Sequence, residues 1–260
     1  MRAAPVALAA SAAFAGGLVA RRADGRNRPL FEPTDLEMEH AGVVELDVQV
    51  GMVRGDAPWR LVVPDVEVDV GISQNVELDV DGAYAIEGPG NGQFSFDHPA
   101  PDNLWVAAKL GLYDSRDDGR SAAWAIGAQL GPKLPLANDA HGIGYEALLL
   151  VGHTRGESHI VLNAGGLVDP GAGISSGRPA GIEGGLDLDL HFGHSPLSIT
   201  GELAAVHFFS PDADQLNMTG GVTLAASEQL DFSLLGLVGF LGGDRAGVLF
   251  GVSPKFALFR

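Results

Sequence analysis

Val44-Glu45-Leu46-Asp47-Val48-Gln49-Val50 alternates aliphatic and polar residues, and the pattern returns as Val66-Glu67-Val68-Asp69-Val70 and as Val76-Glu77-Leu78-Asp79-Val80-Asp81. Successive side chains on a β-strand point to opposite faces, so each stretch builds a ribbon with one aliphatic and one acidic face. Such a ribbon needs an apolar medium on one side and water on the other. A membrane barrel meets that need with the aliphatic face outward, and a soluble sandwich or barrel meets it with the aliphatic face inward.

Working outward, the same period recurs with turn residues between segments and no helical periodicity. Twelve strands are predicted, over residues 43–54, 59–72, 76–87, 103–113, 122–131, 142–152, 158–168, 181–192, 196–206, 215–225, 229–240 and 246–257. Each is near the roughly 9–11 residues that a tilted membrane-spanning strand requires. If the first strand runs outward from the periplasm, the odd connections lie outside. Glu87 to Asn103, with Gly88-Pro89-Gly90-Asn91-Gly92, and Asp169 to Gly181 are then long outer loops, while Ile72 to Val76 and Phe192 to Pro196 are tight periplasmic turns. Long outside and short inside is the outer-membrane arrangement. Asp114 to Ser121 is long for an inner turn, and Arg54 to Trp59 short for an outer loop.

Residues 1–23 read as a secretory signal peptide: Met1-Arg2, an Ala-rich apolar stretch to Ala20, then Arg21-Arg22. Residues 24–42 form a polar N-terminal periplasmic segment, and 43–260 the barrel. No later segment reaches the roughly 18 consecutive apolar residues of a spanning helix. The chain has 260 residues, 37 glycines, no cysteine and a formal net charge of −17. Absent cysteine excludes disulfides and thiolate metal sites, and the acidic balance argues against nucleic acid as a partner.

Leader, loop asymmetry and an even strand count favour the membrane reading. The fold class is therefore all-β, a transmembrane antiparallel up-and-down barrel of about 12 strands. Val44, Leu46, Val48 and Val50 then face lipid, as do Leu104, Val106, Leu110 and Leu112. Slipping the second strand by one residue turns Asp65, Glu67 and Asp69 to lipid, so the register is strongly specified. Aromatic residues make up only 7%, thin for two aromatic girdles. The alternatives are a non-transporting structural barrel or a soluble secreted β-sandwich with a binding role.

Phe31-Glu32-Pro33-Thr34-Asp35-Leu36-Glu37 followed by Gly42-Val43-Val44-Glu45-Leu46-Asp47 resembles the opening of the outer-membrane transporters grouped as the MetA-pathway of phenol degradation family. Asp102-Asn103-Leu104 through Lys109, Gly131-Pro132-Lys133-Leu134-Pro135, Leu162-Asn163-Ala164-Gly165 and Gly251-Val252-Ser253-Pro254-Lys255-Phe256 extend the likeness to the C-terminus. The resemblance implies an outer-membrane barrel that transports small solutes, with phenolic or hydrocarbon compounds suggested by the family name. Phe250, Val252, Phe256 and Phe259 resemble a barrel-assembly signal, although the chain ends in Arg260 rather than an aromatic residue. Lipid, a small-molecule solute and the barrel-assembly machinery are the implied partners, in the outer membrane of a Gram-negative bacterium.

Inward parity collects Glu45, Asp47, Glu67, Asp69, Glu77, Asp79, Asp81, Asp187, Asp189, Glu202 and Asp231 in the lumen, with Lys109 among them. Carboxylates lining a wet passage attract cations, or simply solvate the interior. No enzyme, cofactor or metal signature emerges. His153, Glu157 and His159 share a polar turn without an orienting shell. His191, His194 and Ser195 lack a nucleophile motif. Asp114, Asp117 and Asp118 are followed by Ala125 where a calcium loop requires glutamate. Asn217-Met218-Thr219, a glycosylation sequon, falls inside a strand.

Overall fold

The computed structural model describes residues 36, 38–54, 59–87, 99–115, 122–136, 142–170, 179–193, 195–209, 214–242 and 245–258. The leader, the Gly88–Gly92 loop, Asp117, Asp118, His194, Phe259 and Arg260 lie outside them. The strands are β1 (Val43–Arg54), β2 (Trp59–Ser73), β3 (Val76–Glu87), β4 (Pro99–Pro101), β5 (Leu104–Asp114), β6 (Ala122–Leu134), β7 (Gly144–Arg155), β8 (Ser158–Val168), β9 (Ala180–His191), β10 (Leu197–Phe208), β11 (Gln215–Ser227), β12 (Leu230–Leu241) and β13 (Ala246–Ala257).

Twelve of these strands close into one antiparallel barrel. Each long strand pairs with its neighbours in chain order, β3 passes directly to β5, and β1 seals against β13 from Val43 opposite Ala257 to Arg54 opposite Ala246. Short β4 lies beside the end of β3, opposite Tyr84–Ile86. Closure removes the exposed edge that an open sheet presents, a requirement where no water can satisfy backbone groups. One rim carries the tight connections, including residues 74–75, 156–157 and 228–229; the other carries longer ones, including 88–103 and 169–179. Gly156, at φ 65°, supplies the left-handed residue that the two-residue turn between β7 and β8 needs.

The sidedness is that of a membrane barrel. Leu162, Leu234 and Val248 are 56%, 53% and 58% exposed on the outside, whereas Glu77 and Asp79 are each 2% exposed on the inside. Water would drive the aliphatic face in, so this inversion matches a barrel whose outer face meets lipid. The few exposed aromatics are well placed: Trp59, Tyr84, Tyr145, Phe209 and Phe240 sit near one rim, and Tyr113, Trp124, Phe192 and Phe256 near the other. Phe250, 45% exposed in the middle of β13, stands apart from these two thin girdles.

One local irregularity divides the inner wall. Between Val62 and Asp65 the register of β2 shifts against both β1 and β3, at Val63-Pro64. Proline has no N–H for the ladder and is accommodated at a bulge. The inserted residue lets both Val62 and Asp65 face inward. Past the bulge, toward the long-loop rim, the inner wall is apolar: Val53, Val62, Leu235, Leu237 and Leu249 form a buried cluster across β1, β2, β12 and β13. On the other side of it the wall is acidic.

Replacing Leu162, near the middle of β8, by arginine is expected to cost about 2–4 kcal/mol of unfolding free energy in lipid vesicles. Denaturant titration of the refolded barrel checks this; an unchanged midpoint would mean that Leu162 does not face hydrocarbon.

Candidate lumenal site

The barrel encloses a cavity of about 640 Å³. Eleven of the twelve residues expected in the lumen lie on its wall: Glu45, Asp47, Glu67, Asp69, Glu77, Asp79, Asp81, Lys109, Asp189, Glu202 and Asp231. Asp187 shares their parity but is 0% exposed, packed into the wall beside the cavity. Among the described residues, sixteen carboxylate side chains and two lysines, Lys109 and Lys255, line the space.

The antiparallel register concentrates this charge. Glu45 stands opposite Asp69, and Asp69 opposite Asp79; Asp47 stands opposite Glu67, and Glu67 opposite Asp81. These pairings make two rows of three carboxylates across β1, β2 and β3, the second completed by Asp81, while Glu77 stands opposite Gly71. Opposed like charges destabilise a sheet. Lysines relieve part of this. Lys109 Nζ is 3.3 Å from Glu77 Oε1, and Lys255 Nζ is 3.0 Å from Glu45 Oε2. Gln129 Nε2 donates to Asp79 Oδ2 at 2.7 Å.

The chain ahead of β1 enters this region. The Glu39 backbone N–H donates to Glu77 Oε2, and Lys255 Nζ donates to Glu39 Oε1 at 2.9 Å. Glycines make room for the strap: a Cβ on Gly127 or Gly152 would come within 2.6 Å of Leu36, and one on Gly111 within 3.0 Å of Met38 Sδ. Met38, Glu39 and His40 consequently form part of the cavity wall near the tight-turn rim. The sequence predicts an N-terminal periplasmic segment over residues 24–42, and its described part, Leu36 and Met38–Gly42, lies in the barrel mouth at the tight-turn rim. Isolated from the barrel it shows no strand period, so nothing in the sequence announces that position.

Other lumenal groups escaped the sequence reading. Lys133 and Glu146 form a buried ion pair between β6 and β7. β7 reads Ala147-Leu148-Leu149-Leu150-Val151, and because Leu148 and Leu150 face inward as buried apolar residues, no alternation marks which side Glu146 takes. Asp65, Gln49, Asn163, Glu183 and Thr200 also line the cavity, and their polar parity within each strand was the available signal.

Among the described residues, His153 is drawn away from Glu157 and His159. His153 packs its ring against Trp124, with centroids 4.7 Å apart, while Glu157 and His159 line the cavity. Among the described residues, the groups close enough to share an ion are Glu45, Asp47 and Asp69, and Asp69, Glu77 and Asp79. His191 Nε2 lies 3.3 Å from Asp189 Oδ1, and the Ser195 hydroxyl accepts the Leu197 N–H at 3.1 Å, a turn contact. Asn217 is 6% exposed and cannot serve as a glycosylation acceptor.

Among solved structures, the COG4313 outer membrane channel from Pseudomonas putida F1 superposes with a TM-score of 0.61 at 12% identity, covering 86% of this chain and 99% of that one. The chain has the fold of an outer-membrane β-barrel. The translocator domain of autotransporter NalP from Neisseria meningitidis (TM-score 0.43, 10% identity, 85% and 91% coverage) and the CymD monoaromatic hydrocarbon channel (TM-score 0.40, 9% identity, 85% and 90% coverage) are more distant in shape. No family model and no curated protein sequence matches the chain.

In this outer-membrane barrel the Lys133–Glu146 pair is buried on both sides, at 9% and 3% side-chain exposure. Lys133→Met is expected to destabilise the barrel by about 3 kcal/mol, because it leaves a buried carboxylate without its ammonium. Adding Glu146→Leu is expected to restore most of that loss in denaturant unfolding. Equal stability of the single and double variants would show that the pair is not what the wall depends on.

Proposed function

We propose that the barrel is a passive channel for small solutes in the outer membrane of a Gram-negative bacterium, with a lumen that favours cations over anions. The observation that carries this reading is the cavity wall, where among the described residues sixteen carboxylates face two lysines. A concave, low-dielectric wall of one sign focuses its field into the passage and raises the local concentration of counter-ions. The likeness in fold to an outer membrane channel supports a channel role. In this reading residues 1–23 are an export signal removed on the way out, and Phe250, Val252 and Phe256 present the segment that the assembly machinery engages.

The strap at the tight-turn rim limits the passage. Glu39 is held at two points, by Lys255 and through its backbone at Glu77, so the opening at that rim depends on those contacts. Small solutes pass and large ones are excluded.

In planar bilayers with a KCl gradient, the expected reversal potential is that of a cation-preferring pore. Replacing Glu67, Asp69 and Asp79 by their amides should move it toward zero, and Lys255→Ala should raise the single-channel conductance by loosening the strap. A folded, heat-modifiable barrel that never conducts would overturn the channel reading in favour of a structural barrel.

A second reading concerns solute class. Trp105 and Leu148 form an apolar part of the cavity wall, which suits a small aromatic compound of the kind the family resemblance implies. Phenol added to one chamber should then block the ionic current, and Trp105→Ala should abolish the block; a block of equal strength in the variant counts against an aromatic subsite there.

A further inference from the structure

Where β5, β6 and β7 reach the tight-turn rim, the outer wall brings aromatic and basic side chains together. The odd-numbered residues of β7 face outward, with Tyr145 and Leu149 at 59% and 52% exposed, while Glu146, Leu148 and Leu150 are buried on the inside. The same parity puts His153 and Arg155 on the outer face at the end of the strand. Trp124 of β6 stands opposite His153, and Tyr113 of β5 stands opposite Ile126 of β6 beside them. Trp124 and Tyr113 are the exposed aromatics of this rim, and the Trp124 and His153 rings meet edge to face with centroids 4.7 Å apart.

Charge sets this place apart. The acid nearest in sequence, Glu157 in the turn between β7 and β8, lines the cavity, with its Oε2 3.9 Å from His191 Nδ1. It therefore turns inward, away from Arg155. The Arg155 guanidinium is exposed and, among the described residues, has no carboxylate partner. Depth is the second observation. Trp124 belongs to the aromatic belt, which marks the level where hydrocarbon gives way to headgroups. Arg155 lies two residues nearer the rim than His153, roughly 7 Å farther along the strand. That is the level of lipid phosphates. On a chain of net charge −17, an exposed guanidinium without a carboxylate at that depth calls for an anion supplied by the leaflet.

We propose that Trp124, His153 and Arg155 hold the headgroup of an anionic glycerophospholipid in the periplasmic leaflet. Arg155 donates to the phosphate through its planar fork, the geometry that suits two phosphate oxygens at once. His153, one step deeper and braced by Trp124, offers a ring N–H to the ester oxygens of the glycerol. Trp124 covers the first carbons of an acyl chain. The site rests on the barrel spanning the outer membrane with its tight turns in the periplasm; it does not require that the barrel conduct.

The test is quenching of Trp124 fluorescence in the full-length barrel refolded into mixed vesicles. Trp59→Phe is the background: Trp105 is buried at 4% exposure, so Trp124 is then the tryptophan that lipid reaches. The vesicles combine phosphatidylglycerol bearing brominated acyl chains, which quench a tryptophan they touch, with unbrominated phosphatidylcholine. Quenching should exceed the value set by mole fraction and correspond to about fivefold preference for the anionic lipid, the effect of one basic residue at such a surface. Arg155→Gln should return quenching to the mole-fraction value. Arg155→Lys should fall between, because an ammonium keeps the charge and loses the fork. Heat-modifiable migration checks that each variant folds. Inorganic phosphate should reduce the preference no more than chloride of equal ionic strength. Quenching at the mole-fraction value with Arg155 in place would overturn the proposal in favour of a plain aromatic belt. Undiminished preference in Arg155→Gln would overturn it by removing Arg155 from the contact, and competition by phosphate beyond the chloride control would overturn it in favour of a free-anion site. Each of these results leaves the conductance measurement free to succeed or fail by itself.

Discussion

A backbone amide facing hydrocarbon finds no water, so every strand of this chain must find another strand. That constraint is met by the pairing of β1 with β13, which closes the ring and leaves the twelve-strand sheet without an edge. Once closure is required, sidedness follows. Each strand has one face outward and one inward, and a residue's parity alone decides whether it meets lipid or lumen. The aliphatic positions of β1, such as Val48 and Val50, and the carboxylates Glu45 and Asp47 are two consequences of that single closure.

Closure also explains why the interior is crowded with like charge. Antiparallel pairing sets the first Glu-x-Asp repeat against the second in reverse order, so Glu45 meets Asp69 and Asp47 meets Glu67, and it sets the second against Asp79 and Asp81. The fold accepts this cost because the alternative parity is worse: a one-residue slip of β2 would turn three carboxylates toward lipid. Lysines are correspondingly placed on the flanking strands, Lys109 on β5 and Lys255 on β13. Above the bulge at Val63-Pro64 the constraint changes, and aliphatic side chains of β1, β2, β12 and β13 pack on the inner wall there.

Much of this was legible in the sequence because the period-two pattern is a direct projection of barrel geometry. Strand positions, the count of twelve and the facing of the β1–β3 carboxylates all follow from alternation and turn residues. The reading failed where geometry leaves no periodic trace. Leu148, Leu150, Leu235 and Leu237 point inward although apolar, so β7 and β12 look alike on both faces. Leu36 and Met38 reach the lumen through a segment with no strand period, and their docking positions are glycines that only the folded wall reveals as cleared space. The opposition of Glu45, Asp69 and Asp79 needs the cross-strand register, which the turn lengths constrain but do not state.

Everything above follows from one face of each strand meeting lipid and the other the lumen. Spin labels placed singly at consecutive positions along β1 and β8, in the barrel reconstituted into vesicles, test this through their relative accessibility to oxygen and to a polar nickel chelate. Accessibility is expected to alternate with a period of two, with oxygen favoured at Val48, Val50, Ile160 and Leu162, and the chelate or neither probe favoured at Asp47, Gln49, Val161 and Asn163. Chelate access on both faces, or an alternation of the opposite phase, would contradict it.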